Sequence, residues 1–232
     1  MGGNHLMSLT AHSNLKSEEP KDKGYFKEGN NLDTLGDIYQ EDTNMVIWKR
    51  ELDNAIQEAA NAIIEINPSL EISKAVSSDD AYAEIKKALG FSENASIISK
   101  DVANLVDVFC TLFDLKQVGL RLAVLDRAMC PRFHVDRVPC RLLTTYLGVA
   151  TEWLPHHNAD RSKLGIGNQG KPDEESGIMN SHKDIKFLNQ GDVALLKGEA
   201  WKGNQGAGLI HRSPTLDSNS RRLLLTIDFM DS

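Results

Sequence analysis

Apolar residues change their spacing once along the chain. Up to about residue 116 they recur every three or four positions; beyond it they alternate. Leu52, Ile56, Ala59 and Ile63 repeat at helical spacing until Asn67-Pro68 stops the run, since a proline lacks the N–H and clashes with the turn before it. A second helix is predicted over 80–89, with Ser78 and Asp79 as caps and Gly90 just past its end. The clearest stripe is Val102, Leu105, Val106, Phe109, Leu112 and Phe113, on one face of a third helix. Ahead of these helices, 44–48 is a short β-prone run. Residues 1 to about 42 are polar without a sustained period, which predicts a loosely held extension.

In VGLRLAVLD, Val118, Leu120, Leu122 and Val124 take one face of a strand. Further strands are predicted over 132–136, 141–147, 151–154, 185–188, 192–196, 209–212 and 222–229. Many short strands with no helix between them predict a double-stranded β-helix, a jelly-roll or cupin-like barrel, because that arrangement removes most open sheet edges. The expected fold class is therefore α+β: a polar extension over 1–43, a helical part over 44–115 packing on the barrel, and the barrel over 116–232. Residues 155–182, rich in Gly, Asn, Asp, Lys and Ser, are too many for a hairpin turn and predict an insertion, either a lid or a disordered segment.

Composition narrows the class of function. With 41% hydrophobic residues the chain can bury one substantial core. A net charge of −7 and the lack of any Lys/Arg run argue against nucleic-acid binding. No apolar stretch approaches the roughly 20 residues of a membrane span. Cys110, Cys130 and Cys140 are odd in number and far from zinc-type spacing, so a reducing, cytoplasmic location is expected.

The candidate chemistry centres on His134-x-Asp136. In a strand, residues i and i+2 share a face about 6.7 Å apart, so both side chains can converge on one cation. His211, in the apolar stretch GLIHRSP, is the candidate third ligand. Two imidazoles and one carboxylate on one side of a metal leave the opposite positions open, the arrangement of non-haem Fe(II) oxygenases. Each histidine alone is more often solvated or hydrogen-bonded; the order of the residues and their β context carry the reading. Arg221 and Arg222 open the last strand. Alternation puts Arg222 with Thr226 and Asp228 and puts Arg221 with Leu223, Leu225, Ile227 and Phe229. Arg222 is thus the preferred fork for the distal carboxylate of a keto-acid cosubstrate, with Arg221 second. Tyr146 and Thr144 are candidates to hydrogen-bond such a cosubstrate, or are barrel packing. His156 and His157 are a candidate fourth ligand or second metal site, and Cys130 and Cys140 flank the motif. Trp153 reads as a core anchor, while Lys197 and Trp201 border the expected mouth.

The order His134-x-Asp136, His211, Arg222 resembles the Fe(II)/2-oxoglutarate-dependent dioxygenases, particularly the prolyl-hydroxylase-like branch. There the H-x-D strand is followed by an R-x-x-T strand, Arg141 to Thr144 here, and the resemblance covers roughly 118–229. The interval from His211 to Arg222 is longer than in that branch, and PTLDSNS within it reads as a turn. A closer resemblance is to the DUF1826 family of bacterial proteins, whose segments are similar to FHVDRVPCRLLTTYLGVATEWLP, GDVALLKG, HRSP and RRLLLTID. The first resemblance implies Fe(II) on His134, Asp136 and His211, 2-oxoglutarate on Arg222, and hydroxylation-type oxidation of an unknown substrate in the barrel mouth. The alternative is a non-catalytic, zinc-handling barrel in which Zn(II) takes the same ligands. A degenerate barrel serving as an interaction module is a third reading. Neither nucleic acid nor membrane is expected as a partner, and the oligomeric state stays open.

Overall fold

Strand β4 (Val118–Leu125) carries the alternation the sequence announces: Val118, Leu120, Leu122 and Val124 are buried on one side, Ala123 and Leu125 on the other. The computed structural model, which describes residues 24–230, places β4 next to the edge of a seven-stranded sheet. From edge to edge the sheet runs β1 (Tyr25–Gly29), β2 (Thr43–Trp48), β8 (Val193–Lys197), β5 (Cys140–Leu147), β10 (Arg222–Phe229), β4 and β3 (Glu71–Val76). Only the β1–β2 pairing is parallel. A second sheet, β7 (Lys186–Phe187), β6 (Glu152–Leu154) and β9 (Ile210–Arg212), lies across part of the first.

Each face of the large sheet has its own cover. On one face pack α1 (Asn54–Ile66), α2 (Ala81–Leu89) and α3 (Glu93–Phe113), whose stripe Val102, Leu105, Val106 and Phe109 is buried with Leu120, Leu122, Leu223, Leu225 and Ile227. The caps are local: Asp53 accepts from Ile56 N and Ser92 from Ala95 N, satisfying amides that helix starts leave open. On the other face Met45, Ile47, Leu143, Ala194 and Leu196 meet Trp153 and Leu209 of the small-sheet side. The result is a mixed α/β fold built on a large sheet. Among the described residues no helix is long and apolar enough to cross a membrane.

Several expectations are corrected. The large sheet does not begin near residue 116, because it also takes β1, β2 and β3 from the first part of the chain. In β3, Ile72 and Val76 are buried while Glu71, Ser73 and Ala75 face the open side, so EISKAV shows too few apolar positions to announce a strand. The expected extension over 1–43 is structured from residue 24: β1 pairs with β2, and a 3-10 helix over Leu32–Tyr39 buries Leu35 and Ile38. Residues 1–23 lie outside the described residues. The expected strand over 132–136 is reduced to a single bridge at His134. Residues 155–182 are an ordered run of short turns and helices, including α4 (Asp173–Ser176), that packs Ile178 against Phe133, Leu154 and Ile210.

One polar linkage joins the helical layer to the sheet. Asp101 of α3 accepts from Arg50 Nη1 and Nη2 at 2.8 and 2.9 Å and from the Tyr146 hydroxyl at 2.6 Å. Burial, together with Asp101, pushes the Tyr146 phenol well above its ordinary range. Asp101→Ala strands the Arg50 guanidinium and is expected to cost about 3–5 kcal/mol in urea unfolding. Tyr146→Phe removes one hydrogen bond and is expected to cost about 1–3 kcal/mol. Equal costs for the two variants would refute this ranking.

Candidate metal centre

His134 and His211 meet through their backbones. Each amide donates to the other residue's carbonyl at 3.0 Å, a hydrogen-bonded antiparallel pair between the 132–136 segment and β9. Side chains directly opposite in such a pair project to the same face, and the two ring centroids lie 4.5 Å apart. Asp136 enters from the loop that follows, with Oδ1 3.8 Å from His134 Nε2 and Oδ2 3.5 Å from His211 Nε2. One donor atom from each of the three lies within 4.8 Å of the others.

The outer nitrogens orient the rings. His134 Nδ1 is 2.9 Å from Arg132 O and His211 Nδ1 is 3.3 Å from Leu209 O. A carbonyl only accepts, so Nδ1 carries a proton in each ring; in the neutral imidazole the Nε2 lone pair then faces Asp136, the tautomer a metal ligand needs. Burial pushes the His211 imidazole down to about 4, against the opposing pull of Asp136. Two neutral imidazoles and a carboxylate suit a divalent first-row cation.

Around these ligands the chain is held by charge and close backbone contact. Arg141 Nη1 donates to Asp136 Oδ2 at 2.7 Å, and Arg141 Nε and Nη2 donate to the two oxygens of Asp228 at 2.8 and 2.9 Å. Arg212, next to His211, donates to Glu152 at 2.6 Å and to Asp173 Oδ2 at 2.9 Å. Asp173 Oδ2 also accepts from Phe133 N at 2.8 Å, so α4 braces both histidine segments from behind. The loop bearing Asp136 abuts Gly198, where a Cβ would lie 2.1 Å from Val138 O. That contact admits only glycine, and it lets Gly198 N donate to Pro139 O and Glu199 N to Asp136 O, both at 2.9 Å.

The histidines line a cavity of 580 Å³ that also receives Arg141, Leu143, Leu224 and Arg222. Arg222 is 1% exposed. Nη2 donates to Thr151 Oγ1 at 3.3 Å, while Nε and Nη1 are buried without a partner. Burial alone lowers its pKa to about 10. A guanidinium so placed presents donors to an anion that the chain itself does not supply. Beside it, Gly148 (φ +90°) is needed both for its conformation and for space, since a Cβ would lie 2.5 Å from Arg221 O.

The remaining candidates fall elsewhere. Arg221 is exposed. Thr144 and Tyr146 sit on the helix-facing side of β5, away from the cavity, with Tyr146 committed to Asp101. His156 and His157 form a 3-10 turn, His157 lying 5.2 Å from the Tyr25 ring, and neither lines the cavity. Cys140 is buried on the helix-facing side, and burial pushes its thiol up, whereas Cys130 is exposed and lines the cavity. Trp153 is in the core. Lys197 lies 4.7 Å from the centre of the Trp201 ring, and both border a separate cavity of 370 Å³. Residues 155–182 contribute nothing to the main cavity lining and stand behind the ligands. Sequence reasoning missed Thr151, Asp228 as partner of Arg141, and Arg212. Of these only Asp228 left a signal, its place on the Arg222 face of the last strand.

Fold and site together define a mixed α/β protein whose large sheet carries a two-histidine, one-carboxylate cluster in a cavity. The chain belongs to the DUF1826 family, described as proteins of unknown function, whose model matches residues 29–228. No curated protein matches the sequence. Among solved structures it is similar to the rice dioxygenase for auxin oxidation, with 10% identity, 88% of this chain and 82% of that chain covered, and a TM-score of 0.48. The Arabidopsis thaliana dioxygenase for auxin oxidation, solved with 2-oxoglutarate, is also 10% identical over 89% and 92% of the two chains, TM-score 0.48. A Pseudomonas putida prolyl-4-hydroxylase is 10% identical over 87% and 98%, TM-score 0.45.

Two outcomes follow from the two perturbed groups. Below pH 6.5 the unfolded chain protonates His211 while the folded chain keeps it neutral to about 4. The metal-free protein should therefore lose stability as pH falls through that window, and His211→Asn should lose less. Parallel pH profiles for wild type and variant would refute the assignment. The Arg222 shift from 12.5 to about 10 marks a charge that folding leaves uncompensated at neutral pH. Arg222→Met should raise the urea-unfolding stability of the ligand-free protein by about 1–3 kcal/mol; a loss would mean that Arg222 is structural.

Proposed function

We propose that this chain is an Fe(II)/2-oxoglutarate-dependent oxygenase carrying out a hydroxylation-type oxidation, and that its two facing sheets are a double-stranded β-helix. His134, Asp136 and His211 are the metal ligands. Arg222, backed by Thr151, is the anchor for the distal carboxylate of 2-oxoglutarate. The observation that carries the reading is Arg222: a buried guanidinium with two unpartnered nitrogens, lining the same cavity as His134 and His211. A bare metal-storage site gives such a group no task. The desolvation it suffers is offset only when a carboxylate arrives.

The bound iron and keto acid would supply the oxygen chemistry, as cofactors do. Binding, orientation and exclusion of water fall to the chain. Arg222 offers its fork from β10, and the Thr151 hydroxyl, accepting from Nη2, keeps its own proton for a second oxygen. Leu143 and Leu224 line the same cavity as that anchor and the histidines, and such apolar walls give a charged ligand a low-dielectric setting where its contacts count for more. The Nδ1 hydrogen bonds keep the His134 and His211 rings aimed. Ser73, Ala75, Gly119 and Met129 line the side of the cavity toward the β3 edge, where the substrate enters.

The same three donors also suit zinc, so metal content alone does not separate an oxygenase from a zinc-handling protein. Cosubstrate binding does. Under anaerobic Fe(II), or with Mn(II) in its place, saturating 2-oxoglutarate should raise the melting temperature by roughly 5–10 °C. Arg222→Ala should abolish the shift while leaving metal binding in place, and the Fe(II) complex should show a visible charge-transfer band that His134→Ala removes. Metal binding with neither shift nor band would refute the oxygenase and leave the zinc-handling reading.

A further inference from the structure

We infer that Arg141, held in place by Asp228, is a positioning residue for the metal centre: it fixes the Asp136 carboxylate so that Oδ1 is left for the cation. This rests on the proposed metal site. Asp136 lies on the loop that follows His134, outside any strand. The constraint comes across the fold from β5. Arg141 Nη1 takes Asp136 Oδ2 at 2.7 Å, and Oδ1 accepts no hydrogen bond among the described residues.

Arg141 is itself immobilised. It stands opposite Asp228 in the β5–β10 ladder, and its Nε and Nη2 make two parallel bonds to that carboxylate. Its orientation is thus settled by the strand register and a bidentate pair, leaving one N–H edge aimed at Asp136. Asp228 has a second effect. A lone guanidinium beside a cation site repels the cation; paired with Asp228, Arg141 keeps its geometry while its charge is largely neutralised, and Asp136 supplies the net negative charge of the cluster. Lysine carries the same charge but lacks the planar fork, so it cannot bridge two carboxylates in this way.

Electrostatics and positioning predict opposite signs, which makes the inference testable without turnover. Removing a positive charge near the site should tighten divalent-cation binding if charge alone matters; it should loosen binding if Arg141 positions Asp136. Co(II) and Zn(II) affinities of the full chain are measured by chelator competition for wild type, Arg141→Met, Arg141→Lys and Asp228→Asn, with circular dichroism confirming that each is folded. The expected result is about 10–100-fold weaker binding for Arg141→Met, as for loss of an outer-shell partner. Arg141→Lys should be similar and Asp228→Asn weaker in effect but in the same direction. The visible Co(II) spectrum should change shape in the Arg141 variants as Asp136 Oδ2 loses its fixed partner. Unchanged or tighter affinity in the folded variants, with an unchanged Co(II) spectrum, overturns the positioning role. If Arg141→Met does not fold, Arg141→Lys decides, since it keeps the charge: charge alone predicts unchanged affinity and positioning predicts a loss. Failure of the wild type to bind Co(II) or Zn(II) is a different result: it overturns the metal centre itself.

Discussion

The site depends on one backbone contact, the reciprocal hydrogen bonds between His134 and His211. His134 lies outside a regular strand and is placed by this bridge. The bridge brings two imidazoles to one face at contact distance, and most nearby interactions serve to keep it closed. Arg212 and Asp173 brace it through Phe133 N. Ser213 N donates to Cys130 O at 2.9 Å and Cys130 N to Ser213 Oγ at 3.3 Å, which continues the alignment beyond it. Glu199 and Gly198 pin the loop that carries Asp136. A candidate ligand set assembled from two separate stretches of chain needs this much support, because a displacement of an ångström is enough to open it.

The arginines around the cavity divide by how their charge is met. Arg141 and Arg212 hold carboxylates on more than one side and act as structural ties. Arg222 is more deeply buried than either and has only a threonine hydroxyl among the described residues. Folding leaves it at a cost, a local sacrifice of stability of the kind that binding sites carry. The contrast matters because an uncompensated buried charge is the strongest single pointer to a missing ligand, stronger than the histidine cluster, which several metals would satisfy.

Much of the framework was legible from spacing. The three helices follow their apolar stripes, and β4 and β10 place alternate residues toward the helices and toward the other face, where the cavity lies. The same alternation separated Arg222 from Arg221. It did not help at β5, where Thr144 and Tyr146 look suitable as ligands but share the helix-facing side with Cys140 and Leu142. The cavity-facing members are Arg141 and Leu143. Both faces of β5 are buried, so hydrophobicity there does not say which side is which. Edge strands β1 and β3 were hidden for the opposite reason: their exposed positions dilute the pattern that burial would impose.

By itself the sequence determined the secondary elements with one-sided burial, the candidate ligands His134, Asp136 and His211, and the face of the last strand on which Arg222 lies, since each is a matter of spacing within a short segment. Tertiary structure alone decided that His134 and His211 pair backbone to backbone, that Arg141 joins Asp136 to Asp228, that Thr151 meets Arg222, and that 155–182 stands behind the ligands. Those contacts join residues from 5 to 87 positions apart. Strand order and register choose such partners, and no local pattern records them.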